Sequence, residues 1–353
     1  LKSDDFIFYL DSATTDSGSV AKMEEAELNN VLYPLAIAKN YNMNWKTAAD
    51  SMYISNVDSN IELYDGKASL NGTLIISPKG AFGSGEALSG RAVAVSPEMY
   101  FSKEYFDANN ADFRVNVEDD SIPAIRAGDV HLHYNMVDEF ADFGPEEEGE
   151  ASVEFPYMEY KTSISNGTWD MKENVVTMVK DKEEDIEFSY FYTTNVELDS
   201  IAFNADSAIC DLDESTLKIF GIPFIKIADS KIIPDSNKVY IEENANMQAF
   251  SYATVIIDTI SEYHTLDSGQ IDIISRHSFV GEARYQYINA IEDTFHIPFT
   301  NFRTERYSTR KNELQVYSLA DGYVSEEDSF YLSPRIQYYG DVQLDARENF
   351  LFF

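Results

Sequence analysis

The sequence predicts an all-β protein: an elongated β-jellyroll or β-solenoid of short stacked strands with at most one or two short helices. Three observations carry that expectation. Apolar and polar residues alternate over short segments, most clearly between Asp199 and Ile241, and period two is the signature of a half-buried strand. The chain holds 23 Tyr and 23 Phe among 353 residues, with only 16 Gly and 10 Pro, and large rings pack well across pleated surfaces. Finally, NGTWDMKENVVTMV, from Asn166, superposes on DSAICDLDESTLKIF, from Asp206. Asp170-Met171 matches Asp211-Leu212, Val176 matches Leu217 and Met178 matches Ile219, at a spacing of 41 residues. Imperfect repetition of this kind indicates rungs that bury their faces against neighbours.

In chain order, Phe6, Phe8 and Leu10 alternate as a first strand before a polar loop at 11–19. Val20–Asn30 is the best helix candidate. It is rich in helix formers, sets Ala21 and Glu25 on one face, and runs into Asn29-Asn30 ahead of Pro34. Asn44–Met52 is the second, with Trp45, Ala48 and Ala49 to bury. Strands then dominate: Ile61 and Leu63, a turn at Asp65-Gly66, and Leu74 to Ile76. The glycine-rich Gly80–Gly90 reads as a mobile loop or a β-bulge. Val93 and Val95, Tyr105–Val115, and Val130, Leu132 and Tyr134 continue the series. FGPEEEGE, from Phe143 to Glu150, combines Gly, Pro and four glutamates and reads as a surface loop or a boundary. It separates an N-terminal β lobe with a short helix (1–143) from a C-terminal repeat lobe (151–353), through which the same cadence can run without a break.

Within the second lobe Phe203, Ala205, Ser207 and Ile209 alternate, and a polar turn follows at Asp211–Thr216. Leu217 and Ile219 resume the pattern, Gly221 and Pro223 break it, and Ile225 with Ile227 opens the next strand. Asp235–Lys238 turns the chain into Val239 and Ile241. Asp suits such turns because its carboxylate accepts backbone N–H groups two residues on. A shorter echo links Asn110-Ala111-Asp112 to Asn204-Ala205-Asp206. Further strands are expected around Thr254–Thr259, Ile271–Ile273, Ala283–Tyr287, Val316–Val324, Tyr331 and Val342–Leu344. The apolar end Phe350–Phe353 resembles a strand cut short.

The 62 acidic residues against 26 basic ones give a formal charge of −36. Such a surface repels a phosphate backbone and an anionic bilayer, so neither nucleic acid nor a membrane surface is expected as a partner. Calcium and cationic ligands are compatible with the charge, and solubility alone also explains it. The one basic cluster, Arg303, Arg306, Arg310 and Lys311, is expected to meet carboxylates within the fold. Apolar runs such as Tyr33–Ala38 are too short to span a bilayer. The chain opens on Leu1 without an initiator Met or signal peptide, which reads as a mature or excised segment of something larger. The single cysteine, Cys210, excludes an internal disulfide and reads as a small core or edge thiol.

No motif names a reaction. His131-x-His133 sets two imidazoles on one strand face with Asp129, a trio that suits a metal, against the common case of exposed strand histidines. Gly83-Ser84-Gly85 is neither a GxGxxG nor a GxSxG arrangement. Acidic pairs for glycoside hydrolysis are too numerous to single any out. His264, His277 and His296 lie beside strand-like segments without a recognisable nucleophile. EF-hand spacing is absent at Asp211-Leu212-Asp213-Glu214. Asn71-Gly72-Thr73 and Asn166-Gly167-Thr168 are sequons, patterns that arise easily by chance.

Ala205-Asp206, Asp211-Leu212, Leu217-Lys218-Ile219 and Gly221, with Ala228-Asp229 opening another unit, follow a recognisable order: an Ala-Asp strand, an Asp-opened turn, a return strand and a glycine. In this the chain resembles the OstA-like family of lipopolysaccharide-transport proteins, over about a quarter of its length. The overall cadence is also similar to that of long envelope proteins of the Bacteroidota. The resemblance implies a β-jellyroll whose apolar interior holds acyl chains, with Phe203, Ile209, Leu217, Ile219, Ile225 and Ile227 as its ligand-binding lining. The expectation is therefore a non-enzymatic, extracytoplasmic envelope module, periplasmic or outer-membrane associated. It would act as a structural bridge or bind amphiphiles, with no cofactor and no metal. Its partners would be other envelope proteins, further repeats of the same chain, or lipid. The alternative is a carbohydrate-active enzyme or glycan-binding β module, suggested by the many tyrosines and carboxylates.

Overall fold

The computed structural model describes residues 8–10, 20–23, 25–28, 31–117, 122–146, 152–258, 260–308 and 314–353. The protein is all-β, with 64% strand and 6% helix, and no helix among the described residues reaches seven residues. Its antiparallel sheets curl, and one forms a half-barrel.

Neither expected helix forms. Val20–Met23 is a strand held between Phe8–Leu10 and Ala36–Lys39, and Ala26–Leu28 pairs with Val31–Tyr33. Residues 24, 29 and 30 of that candidate lie outside the described ones. Helix propensity differs between ordinary residues by under about 0.7 kcal/mol each, and this stretch has no wide apolar stripe to dock. Pairing on both edges satisfies its backbone instead. The second candidate is a hairpin in which Tyr41–Lys46 faces Ser51–Asn56, with one 3₁₀ turn at Thr47–Ala49. Trp45 is 39% exposed, so the burial that would support a helix is missing.

The described chain forms two compact units. One comprises 1–157, 162–180 and 209–215, and the other 158–161, 181–208 and 216–353. In the first, the strands Ala68–Ser77, Gly80–Ser89, Ala92–Phe101, Tyr105–Asn116, Pro123–Asn135 and Phe140–Pro145 each pair with the next. The glycine-rich passage is thus a strand, with a bulge between Gly83 and Gly85 where it meets Ala92–Phe101. Glycine is required there: a Cβ on Gly85 (φ +129°) would lie 2.3 Å from the Asn71 carbonyl oxygen. Phe143, where a loop was expected to start, is a buried strand residue. The core is a chain of rings from Phe101 through Phe106, Tyr134, Trp169 and Phe113 to Phe143, with centroids 4.9–6.2 Å apart. Such aromatic contacts add to simple area burial.

The second unit contains an eight-stranded sheet running Ile225–Ile227, Ser230–Ile233, Phe250–Ile257, His264–Ser275, Ser278–Ile288, Thr294–Ser308, Leu314–Val324 and Gly340–Asp345. Register shifts between Phe250 and Ala253, Asp267 and Gln270, and Thr300 and Arg303 place extra residues in single strands. Bulges bend a strand and increase its twist, which accounts for the curl. Ser268 and Asn301 adopt left-handed φ of 52° and 50° at two of them. Val255, Leu266, Ile271, Phe299 and Leu319 fill the covered face. Of the basic cluster, Arg303 pairs with Asp321 at 2.7 Å, as expected, while residues 309–313 lie outside the described ones.

The end of the chain is tied down. Phe352 bridges to Gln343 through the backbone, and the Phe353 ring stacks on Phe330. His264 is fully buried, and its Nε2 meets the Glu348 carbonyl at 2.7 Å. Burial lowers the His264 pKa from its ordinary 6.5, outweighing the raising effects of the Glu348 and Asp345 backbone and of the Asp345 and Asp258 charges.

Three outcomes are expected. Gly85→Ala lowers unfolding free energy in urea by about 1–3 kcal/mol through overpacking. Gly128→Ala, with nothing within 4 Å of the added Cβ, stays within about 0.5 kcal/mol of the parent. Because His264 favours its neutral form in the fold, its contribution is complete above pH 6.5 and is lost as pH falls through that value and below. Imidazole NMR titration is expected to give a midpoint under 6.5, and a midpoint above it contradicts this account.

Candidate functional site

Of the six residues expected to line a ligand-holding interior, five face inward. Leu217, Ile219, Ile225 and Ile227 are 0% exposed and Phe203 is 4% exposed. These five lie in the second unit. Leu217 and Ile219 stand opposite Ile241 and Val239, Ile225 stands opposite Ile232, and Ala202–Asn204 packs against Ile225–Ile227. The Phe203 ring sits 6.3 Å from both Phe191 and Tyr160.

Ile209 does not belong to this lining. It is half-exposed, and its neighbours Ala208 and Cys210 are the buried ones, each at 1%. The alternation changes phase at Asp206, between the strands Ala202–Asn204 and Ser207–Asp211. There the Ala205 N–H donates to the Ser189 carbonyl and the Asp206 N–H to the Phe220 carbonyl. A one-residue slip turns every following side chain over. Gly221 (φ +72°) answers the same local need, since a Cβ there would lie 2.2 Å from the Asp206 carboxylate. The Asn110 echo of this segment is different in kind, because Asn110 occupies a left-handed bulge at φ 46°.

Around these five residues the interior is filled. A tunnel wide enough for an acyl chain would admit a water-sized probe and expose its lining, whereas these side chains show almost no accessible surface. In the first unit, an apolar void between residues such as Ala38, Ile54, Ile61 and Leu74 measures about 10 Å³, room for one water at most. Cys210 shares this dry environment. Burial, reinforced by the Asp211 charge, pushes its thiol far up, so the reactive thiolate is suppressed.

The turn chemistry read from Asp170 and Asp211 is present, and it is structural. The Asp170 Oδ1 accepts the N–H groups of Lys172 (2.9 Å) and Glu173 (3.1 Å). The Asp211 Oδ1 accepts those of Asp213 (3.2 Å) and Glu214 (3.1 Å). Asn135 repeats the arrangement with Val137 (2.9 Å) and Asp138 (2.8 Å). Each turn closes on a left-handed residue: Glu139, Asn174 and Ser215, at φ 63°, 52° and 50°. The turns are hydrogen-bonded in series. The Met136 N–H donates to the Glu104 carbonyl (2.8 Å), Met171 to Glu139 (3.0 Å) and Leu212 to Asn174 (3.0 Å). The Asp213 carboxylate is held by Asn174 Nδ2 (3.2 Å) and Arg91 Nη2 (3.0 Å). The Asn135 copy escaped the sequence reading because it precedes Asp170 by 35 residues, not 41, and opens on Asn.

No catalytic or metal constellation assembles around the remaining candidates. His133 Nδ1 bonds Asp107 (2.7 Å) and is flanked by the rings of Tyr105 and Phe140, while His131 Nδ1 bonds Asn109 (3.0 Å). Asp129 sits apart in a left-handed bulge, at φ 56°. Among the described residues no three His, Cys, Asp or Glu side chains gather at metal-binding distance. His277 forms an exposed pair with Asp199 at 2.8 Å, and no described imidazole bonds a serine or cysteine side chain. No helix among the described residues is long and apolar enough to cross a membrane. Scans of the chain against protein-family models, curated proteins and solved structures return no match.

Asp170→Ala and Asp211→Ala are each expected to cost about 1 kcal/mol of unfolding free energy by loss of the paired turn hydrogen bonds. Asp211→Asn keeps the accepting oxygen and is expected to retain most of that stability. Equal losses for the Ala and Asn variants would refute the turn role.

Proposed function

We propose that this chain is a non-enzymatic structural module, a bridge of stacked β rungs working in an extracytoplasmic envelope setting. The observation that carries the reading is the combination of a dry, filled interior with turns hydrogen-bonded in series. Each rung satisfies its backbone on its neighbour and leaves no volume for cargo, which suits a load-bearing or spacing element better than a carrier. The natural partners of such an element are further β repeats or other envelope proteins, joined by the same edge pairing. The acidic exterior favours solubility in a crowded compartment, and the strand cadence shared with OstA-like repeats supports the extracytoplasmic placement. Carriage of an amphiphile would require Leu217, Ile219, Ile225 and Ile227 to open away from one another. Burial of aliphatic side chains of this size, at about 1.5–3 kcal/mol each, opposes that opening.

Native mass spectrometry after gentle purification is expected to give the bare protein mass. A photoreactive residue at Ile219 is expected to cross-link within the chain and not to lipid. A lipid adduct at that position would overturn the structural reading in favour of amphiphile binding. Ile219→Ala is expected to cost about 2–5 kcal/mol, as for a truncation in a close-packed core.

A further inference from the structure

The solvent-facing side of the eight-stranded sheet carries a groove of about 440 Å³ crossing four consecutive strands, from Phe250–Ile257 to Thr294–Ser308. That volume lies in the range of about 300–1,000 Å³ typical of small-molecule sites. It arises where the bulges of neighbouring strands fall side by side, at 250–253 and at 267–270. The small side chains of Ser251 and Ser268 lie there beside the long ones of Tyr252, Gln270, Glu282 and Arg284.

Four long side chains line this groove and face solvent. Among the described residues, Tyr252, Gln270, Glu282 and Arg284 make no side-chain hydrogen bond, ion pair or ring contact. Arg126, Arg303 and Arg347, by contrast, each pair with an aspartate. Gln270 and Glu282 stand directly opposite each other in the ladder, and Arg284 is the next residue on the same face of its strand. Tyr252 is 69% exposed. The groove therefore collects unengaged donors (Arg284 and the Gln270 amide) and acceptors (Glu282 and the Gln270 oxygen), together with one exposed aromatic ring.

We propose that this groove binds a neutral pyranose. Sugar hydroxyls both donate and accept, so vicinal hydroxyls match an arginine fork beside a carboxylate and an amide. The apolar C–H face of the ring packs on Tyr252, as aromatic platforms favour. An anionic ligand would meet Glu282 and the −36 charge of the chain, and a simple cation would leave Arg284 unmatched. The site is independent of the structural role, because it uses only side chains that the fold leaves unengaged.

Methyl glycosides of glucose, galactose, mannose and N-acetylglucosamine, titrated into the 353-residue chain by isothermal calorimetry and saturation-transfer NMR, test this. At least one is expected to bind saturably. Tyr252→Ala and Arg284→Met are each expected to weaken binding about tenfold or more. Tyr323→Ala, an exposed tyrosine elsewhere on the same sheet, is expected to leave it unchanged. Circular dichroism and melting curves check that the variants fold, which the exposure of the substituted side chains favours. The proposal is overturned if no probe saturates at tens of millimolar, if both groove variants bind as the parent does, or if Tyr323→Ala loses binding equally.

Discussion

The rest of the structure depends on the requirement that each antiparallel rung satisfy its backbone on the next while burying every second side chain. In the first unit the requirement extends to the turns. The carbonyls of Glu104, Glu139 and Asn174 accept from Met136, Met171 and Leu212. Turns are usually where a β protein is free to vary, because their polar groups face water. Here they carry a hydrogen-bonded series of their own, so each turn needs a residue that reaches back to its own backbone and another that tolerates left-handed φ. Asp and Asn meet the first need, and Glu139, Asn174 and Ser215 fill the second at some local cost.

Curvature follows from the same accounting. Extra residues at 251–252, 268–269 and 301–302 bend the eight-stranded sheet and tilt its covered face around a continuous apolar core. The opposite face acquires a trough at the same bulges. One backbone irregularity thus closes the core and opens a surface depression, which is how a protein with a filled interior still presents a concave, ligand-sized feature. Among the described residues several aspartates hold arginines in place. Asp345, gripped by Arg347 at 2.6 Å, has its carboxyl held below the ordinary range.

Some of this was legible in the residues. Alternation at Leu217-Ile219 and Ile225-Ile227 located buried faces correctly, and Asp170 with Asp211 located two turns. The readings that failed did so where two local rules competed. Val20–Met23 has helix-forming residues but lies between two strands that offer it hydrogen bonds on both edges. Ile209 lost its expected place because a phase change at Asp206 is invisible to a period-two count until the partners at Ser189 and Phe220 are known. The groove residues Tyr252, Gln270, Glu282 and Arg284 carry no shared motif. They come from three strands, and only bulges in register bring them together.

By itself the sequence determined that the protein is β, that its rungs repeat imperfectly, and that two of its turns open on Asp, because strand period and turn chemistry are local properties encoded within a few residues. Tertiary structure alone decided which phase of each alternation faces inward, that the interior is filled, and where unengaged polar side chains converge. Those outcomes depend on hydrogen-bond partners far away in the chain and on packing at close density, and neither is written in any single segment.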